Sequence, residues 1–389
     1  MTSPSPPSPR SCLVYSPQFS QYHYGPSHPL RNERLALTFG LIQAYRLLEL
    51  EGAAVLEPRR AREEELLRFH HADYLEALRR ADSGDLFPSA YSYGLGTPDD
   101  PIFPGVFSWS VLVTGASLTA AEAIEEKGFH FAFNLAGGLH HAHPSSAAGF
   151  CYLNDPAVMI HDLVRRGRRV AYLDLDAHHG DGVQEAFYET DQVLTISLHE
   201  SGLTLFPGTG FVQEMGRGKG EGYAVNLPLY PGTDDEIFHW AFQEIVPPLL
   251  SAFAPKVVVT QLGADSLCSD PLSNLCLSLQ GFASLVRRIK ELTDEGGWKW
   301  IALGGGGYDL NNVPRAWTLV WAIMNDRELN PKIPREFLEA ARAQGFTTEH
   351  LWDPLPGEPR STGDRALRYA REQVRALKET LFPLHGLKG

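Results

Sequence analysis

Residues 169–183 read RVAYLDLDAHHGDGV. The run from Arg169 to Leu173 is rich in β-formers and predicts a buried strand. Asp174, Asp176 and His178 then follow at intervals of two. In extended chain, side chains at i, i+2 and i+4 leave the same side, so two carboxylates and one imidazole project together from the strand end. Asp176 and His178 offer a divalent metal an oxygen and a nitrogen. As a mere cap for the helix that follows at Gly182, one polar residue would suffice.

Moving outward, four more strands of the same kind are expected: FHFAFNL from Phe129, QVLTISL from Gln192, KVVVTQL from Lys256 and WKWIALG from Trp298. Stretches with helical spacing alternate with them, at Val106 to Glu126, Pro156 to Arg166, Asp234 to Phe253, Leu279 to Thr293 and Val313 to Asn325. That alternation predicts an α/β fold with a parallel sheet. The N-terminal part reads as helical over Asn32 to Leu50 and Glu63 to Arg80, and the last sixty residues as helices and connectors. Tyr91 to Gly105 reads as a long surface loop. MTSPSPPSPR, residues 1–10, reads as a disordered tail without the apolar run of a signal peptide. The remainder, 11–389, reads as one domain.

Each expected strand ends in polar or glycine residues: NLAGGLHHAH, LDLDAHHGDG, SLHE, LGADS and LGGGGY. In open parallel sheets, ligands sit beyond the carboxyl ends of the strands, so the five bursts are expected to converge. Eight of the fifteen histidines (His130, His140, His141, His143, His161, His178, His179 and His199) fall within less than a fifth of the chain. Asp265 of LGADS is the best-placed third metal ligand, and two carboxylates with one imidazole leave a coordination position open, as in catalytic zinc sites. Asp174 and Asp181 are available as carboxylate partners for His140 and His141, and such pairing makes the far ring nitrogen more basic. Gly304 to Gly307 lets backbone approach a ligand. No Lys-Ser/Thr follows, which disfavours a phosphate loop. Tyr308 then supplies a hydroxyl suited to an oxyanion.

Over the 389 residues, 43 % are hydrophobic and 21 % charged, which supports a large core and excludes disorder over most of the length. The formal net charge of -13 disfavours nucleic acid and anionic membranes and favours a cationic substrate. No apolar stretch approaches the length of a bilayer span. Cys12, Cys151, Cys268 and Cys276 form no C-x-x-C pair, so neither a disulfide framework nor a thiolate zinc site is expected, and a cytoplasmic location is.

The motifs GGLHHAHPSSAAGFCYLND, YLDLDAHHGDGVQEAF, LFPGTG, QLGADSLCSDPL and LGGGGYDLNN resemble the zinc-dependent histone deacetylase family, most closely its bacterial acetoin-utilization members. The resemblance runs from about Tyr15 to Ala322. It implies the single-domain arginase/deacetylase fold, with a central eight-stranded parallel sheet flanked by helices. Zinc ligands then fall on Asp176, His178 and Asp265, active-site histidines on His140 (with Asp174) and His141 (with Asp181), and the transition-state tyrosine on Tyr308. Phe150 and Phe206 match the walls of an acyl-lysine tunnel bordered by Gly149, and Leu272 stands at its gate. A rim aspartate that holds substrate backbone falls on TPDDP, where either Asp99 or Asp100 could serve and Asp99 is favoured; Leu205 replaces a frequent second aromatic beside Phe206.

The resemblance also implies structural potassium. The nearer site uses main-chain oxygens of Asp174, Asp176, His178 and Leu198 with the Ser197 hydroxyl, and the outer one uses Phe187, Thr190, Val193 and Tyr223. The implied activity is zinc-dependent hydrolysis of acetyl-lysine in proteins, with acetyl-CoA synthetase as a candidate partner; the alternative is an acetylpolyamine amidohydrolase. A binuclear manganese ureohydrolase needs further acidic ligands after Asp265, where only Asp270 follows at an awkward spacing. A catalytically dead acyl-lysine reader would not need the full set of motif residues.

Overall fold

The computed structural model describes residues 10–354 and 363–388. Eight strands, β1 (Ser11–Val14), β2 (Ala53–Leu56), β3 (Phe131–Asn134), β4 (Val170–Asp174), β5 (Val193–Glu200), β6 (Ala224–Leu229), β7 (Val257–Gln261) and β8 (Lys299–Leu303), form one sheet in the order β2-β1-β3-β8-β7-β4-β5-β6. Every pairing is parallel. Helices α1 (Glu33–Ala44), α2 (Glu63–Leu66), α3 (Ala72–Arg80), α4 (Val106–Glu126), α5 (Asp155–Arg165), α6 (Asp181–Phe187), α7 (Asp235–Phe253), α8 (Leu279–Gly296), α9 (Asn312–Met324), α10 (Arg335–Ala341) and α11 (Gly363–Thr380) surround it. α4 packs on β1, β3, β8 and α5, while α7, α8, α9 and α1 pack in succession. Interior strands of such a sheet are covered on both faces, which is why β4 and β7 read as continuous apolar runs.

Polar residues end β3, β4 and β7, at Asn134, Asp174 and Gln261. Register aligns Asn134, Leu303, Gln261, Asp174 and Ser197 in one row across β3, β8, β7, β4 and β5. All strands run the same way, so this row is the carboxyl edge of the sheet.

Five strands were expected from residue pattern, and β1, β2 and β6 escape it. β1 and β2 are four residues long, and β2 and β6 are the edges, where β6 accommodates Pro228. The helix expected over Glu63 to Arg80 breaks between α2 and α3. There, His70 turns fully inward, its Nε2 accepting from Asn154 N (3.0 Å) and its Nδ1 lying 3.1 Å from the His143 carbonyl. The helix expected to reach Leu50 ends at Ala44, and Arg46 takes φ +60°.

Three further expectations need correction. By length and composition α4 is long and apolar enough to cross a membrane, yet it is packed as a core helix and is mostly buried. Cys268 and Cys276 form a disulfide, because Leu267 and Leu277 bridge and bring together cysteines whose spacing matches no motif. Of the tail, residues 1–9 lie outside the described residues. Arg10, however, belongs to the fold through Gly52 and an ion pair with Asp326.

Candidate active site

At the carboxyl edge, the turns after β3, β4, β7 and β8 meet. Asp176, His178 and Asp265 gather there with candidate ligand atoms all within 4.8 Å of one another, and all three are buried. His178 Nδ1 lies 2.9 Å from Asp265 Oδ2 and 3.2 Å from Asp176 Oδ1. Among the described residues neither carboxylate makes an ion pair with lysine or arginine; their charged contacts are His140 and His178. Two buried carboxylates facing one another need positive charge between them. Burial opposes protonation of His178, but its hydrogen bonds to Asp176 and Asp265 hold its ring up to about 10. Burial and then Asp176 push the Asp265 carboxyl up to about 7. A divalent cation suits this donor set of two oxygens and one nitrogen.

The glycine run explains how the cluster closes. Gly306 N donates to Asp176 Oδ2 at 2.7 Å, and a Cβ on Gly306 would stand 2.1 Å from Asp265 Oδ2. No other residue lets the β8 turn approach this closely.

His140 and His141 each set Nδ1 at 2.8 Å from a carboxylate, Asp174 Oδ2 and Asp181 Oδ1 respectively. Asp174 also accepts from the Tyr172 hydroxyl at 2.8 Å. Burial disfavours charge on His140, but Asp174 and Asp176 outweigh it and raise the ring to about 9. His141 moves the other way, to about 4, through burial and then the neighbouring His140, against the pull of Asp181. Tyr308 donates its main-chain N–H to Asp270 Oδ2 (2.7 Å), and its ring meets Phe150 edge-on. Burial, then Asp265 and Asp176, push its phenol well above its ordinary range, which keeps the hydroxyl a donor.

A narrow pocket is lined by His140, His141, Gly149, Phe150, Asp176 and Tyr308, together with Leu30 and Cys151. Phe206 joins through an edge contact with His141, ring centroids 5.0 Å apart. Gly149 (φ +54°) separates them: a Cβ there would lie 2.6 Å from the His141 ring and 2.9 Å from that of Phe206.

Asp99 and Leu272 do not line this pocket. Asp99 is exposed, with its carbonyl 3.1 Å from His28 Nε2, and Leu272 is half-buried, its N–H bonded to Asp270. Asp100 is 3 % exposed and leaves Oδ1 without a partner; burial, then Asp99, raises its carboxyl to about 8. Of the five polar bursts, SLHE does not reach the pocket. Ser197 Oγ pairs with His199 Nδ1 (2.7 Å), His199 Nε2 with the Gly210 carbonyl, and Glu200 accepts from Asn274. Of the residues expected to hold potassium, Asp174 and Ser197 are register partners, Leu198 follows on β5, and Val193 opens that strand. Phe187 and Thr190 share a turn, and the Tyr223 carbonyl accepts from Thr195 N.

Sequence reasoning missed the residues that shape the histidine loop. Asp155 accepts from Gly138 N, Leu139 N and the Ser117 hydroxyl. Asn154 Nδ2 donates to the carbonyls of His140 and Ala142, and Gln261 Nε2 to that of Gly138. The run Asn154-Asp155-Pro156 reads as an ordinary helix start, so its second role carries no separate signal.

The buried carboxylates and imidazole of Asp176, His178 and Asp265 could hold a metal ion beside the two histidine–carboxylate pairs. Residues 28–324 match the histone deacetylase domain, and the chain belongs to the histone deacetylase family. It is 38 % identical over 368 residues to the acetoin utilization protein AcuC of Bacillus subtilis, covering 92 % of this chain and 95 % of that one. Against histone deacetylase 1 of Homo sapiens it is 39 % identical over 328 residues, covering 83 % and 66 %. The crystal structure of a histone deacetylase homologue from Aquifex aeolicus superposes with a TM-score of 0.83 at 37 % identity, covering 93 % of this chain and all of that one.

Proposed function

We propose that this protein is a zinc-dependent lysine deacetylase acting on acetyl-lysine in proteins. The observation that carries the reading is the placement of Asp176, His178 and Asp265 at a pocket shared by His141 and Tyr308 and walled by Gly149 and Phe150. Asp176, His178 and Asp265 would hold the zinc. When bound, zinc supplies Lewis-acid polarisation of the acetyl carbonyl and acidifies water. His141 has Nδ1 committed to Asp181, so Nε2 takes the proton from water and returns it to the departing lysine nitrogen. Tyr308 donates its hydroxyl to the carbonyl oxygen as that atom gains negative charge. His140, kept cationic by Asp174, stabilises the same charge. Gly149, Phe150 and Phe206 confine the lysine methylenes, and exposed Asp99 accepts from the substrate backbone at the rim.

We further propose structural potassium around Asp174, Ser197 and Leu198. Acetylated acetyl-CoA synthetase is the protein substrate to test first, by resemblance to acetoin-utilization proteins. An acylated polyamine is the second reading, favoured by the net charge of -13 and the exposed Asp99, whereas apolar Leu272 suits a peptide.

The test is a turnover panel of acetyl-lysine peptides against N-acetylputrescine and N-acetylspermidine, before and after chelation and with zinc restored. The peptides should lead in kcat/KM by about tenfold, or about 1.4 kcal/mol. Faster turnover of N-acetylspermidine, or full activity after chelation, refutes the corresponding part of the reading.

A further inference from the structure

Asp181 presents two oxygens in two directions. Oδ1 lies 2.8 Å from His141 Nδ1 and accepts from Gly182 N at 3.0 Å. On the outer side Oδ2 lies 3.5 Å from His143 Nε2, and His143 Nδ1 in turn lies 2.6 Å from Glu185 Oε2. The four side chains form a continuous row from the pocket to solvent: His141 is almost wholly buried, His143 is one-third exposed and Glu185 half exposed.

The backbone at His143 is fixed independently of that row. Its N–H donates to the Ser146 carbonyl in an antiparallel bridge, and its own carbonyl meets the ring of inward-turned His70. The imidazole therefore projects toward Asp181 from a rigid turn. Hydrogen bonds to Asp181 and Glu185 hold the ring up to about 10, so at neutral pH it is a cation between two carboxylates.

We propose that His143, braced by Glu185, is a positioning residue for the His141–Asp181 pair: by holding the outer oxygen of Asp181 it keeps the inner oxygen aimed at His141 Nδ1. This rests on the deacetylase reading, in which His141 moves the proton. A carboxylate held through one oxygen alone can still rotate about its Cβ–Cγ bond, and a partner on the far oxygen removes that freedom. Asp174 needs no such outer partner, because its second oxygen accepts from Asp176 N within the same turn.

Two readouts on zinc-loaded protein test the assignment: kcat and KM on an acetyl-lysine peptide, and the His141 Nδ1–H resonance in histidine-labelled protein. His143→Ala should lower kcat about tenfold with KM within about twofold, the size expected when a supporting partner is lost. The resonance should shift or broaden. His143→Lys keeps a cation at the site and should restore both the resonance and kcat to within about threefold of the parent. Glu185→Gln, on a half-exposed side chain, should move the resonance the same way by less, and carries the test if His143→Ala does not fold.

An unmoved resonance in His143→Ala overturns the proposal, whatever happens to kcat. So does a loss confined to KM, or a lysine variant no better than alanine. If the parent protein turns over no acetyl-lysine peptide, the deacetylase reading falls, while the resonance still decides whether His143 positions the pair.

Discussion

His140 and His141 are adjacent in the chain, and each sets Nδ1 2.8 Å from an aspartate oxygen, yet burial and neighbours drive them apart, to about 9 and about 4. The hydrogen bond does not distinguish them. His140 faces two carboxylates, Asp174 and Asp176, the latter 3.8 Å from its Nε2. His141 faces one, and that one is shared with His143, while the ring of cationic His140 lies tilted against it, centroids 4.0 Å apart. Two dyads with the same hydrogen bond are thus driven to opposite charge states by what stands on their far sides.

The strongest way to break this comparison is to remove the ground both dyads share. Asp176→Ala or His178→Ala should lose the bound metal and at least about 10³ in turnover, since three ligands are the minimum for a catalytic zinc site. Metal analysis alongside kcat checks it, and a metal-free variant with parental activity would sink the proposed site.

Tyr308→Phe should bind peptide as before and lose about 10² to 10³ in kcat, the usual cost of one oxyanion donor. Turnover at the parental rate would remove Tyr308 from the mechanism. Within the pair itself, His141→Ala should cost about 10² or more in kcat and His140→Ala about tenfold, a base against a charge stabiliser. Equal losses would erase the functional difference drawn here.

A third aspartate sharpens the comparison, because Asp100 is buried with no imidazole at all. Its folded-state carboxyl is raised to about 8 from an unfolded value near 4, so between those pH values the folded protein holds a proton that the unfolded chain has released. Its contribution is full below about pH 4 and is lost as pH rises through about 8. Asp100→Asn should therefore gain on the parent by about 1 kcal/mol or more between pH 5 and pH 8, measured by denaturant unfolding at both. No relative gain would mean that the carboxyl ionises without cost.

The site was legible in the sequence wherever one strand carries its own alternation. Asp174 ends β4 as its period of two suggests; Asp176 and His178 were read from the same period but lie in the turn beyond the strand, and Asp265 and Tyr308 follow from their places after β7 and β8. The supports were not legible. Asn154 and Asp155 reach the histidine loop from a helix start, and Gln261 from the end of an apolar strand, so their roles exist only after the chain has folded. Asp99 and Asp100 are chemically alike neighbours whose difference, one exposed and one buried, is a matter of which way a loop turns. The Cys268–Cys276 disulfide depends on a bridge between residues on either side of it, and β6 on a neighbour to pair with. Pattern reveals what local periodicity fixes, and misses what partners fix.

Gly149 has a consequence for how such a protein diverges. Every single-nucleotide change that replaces a glycine introduces a residue with a Cβ, and at this position the added carbon would be driven against the rings of both His141 and Phe206. No substitution is therefore open at Gly149 without moving one of those rings, whereas Leu205 and Leu272 already carry half-buried side chains. A change in what the pocket admits is thus harder to begin at Gly149 than at a position that already carries a side chain.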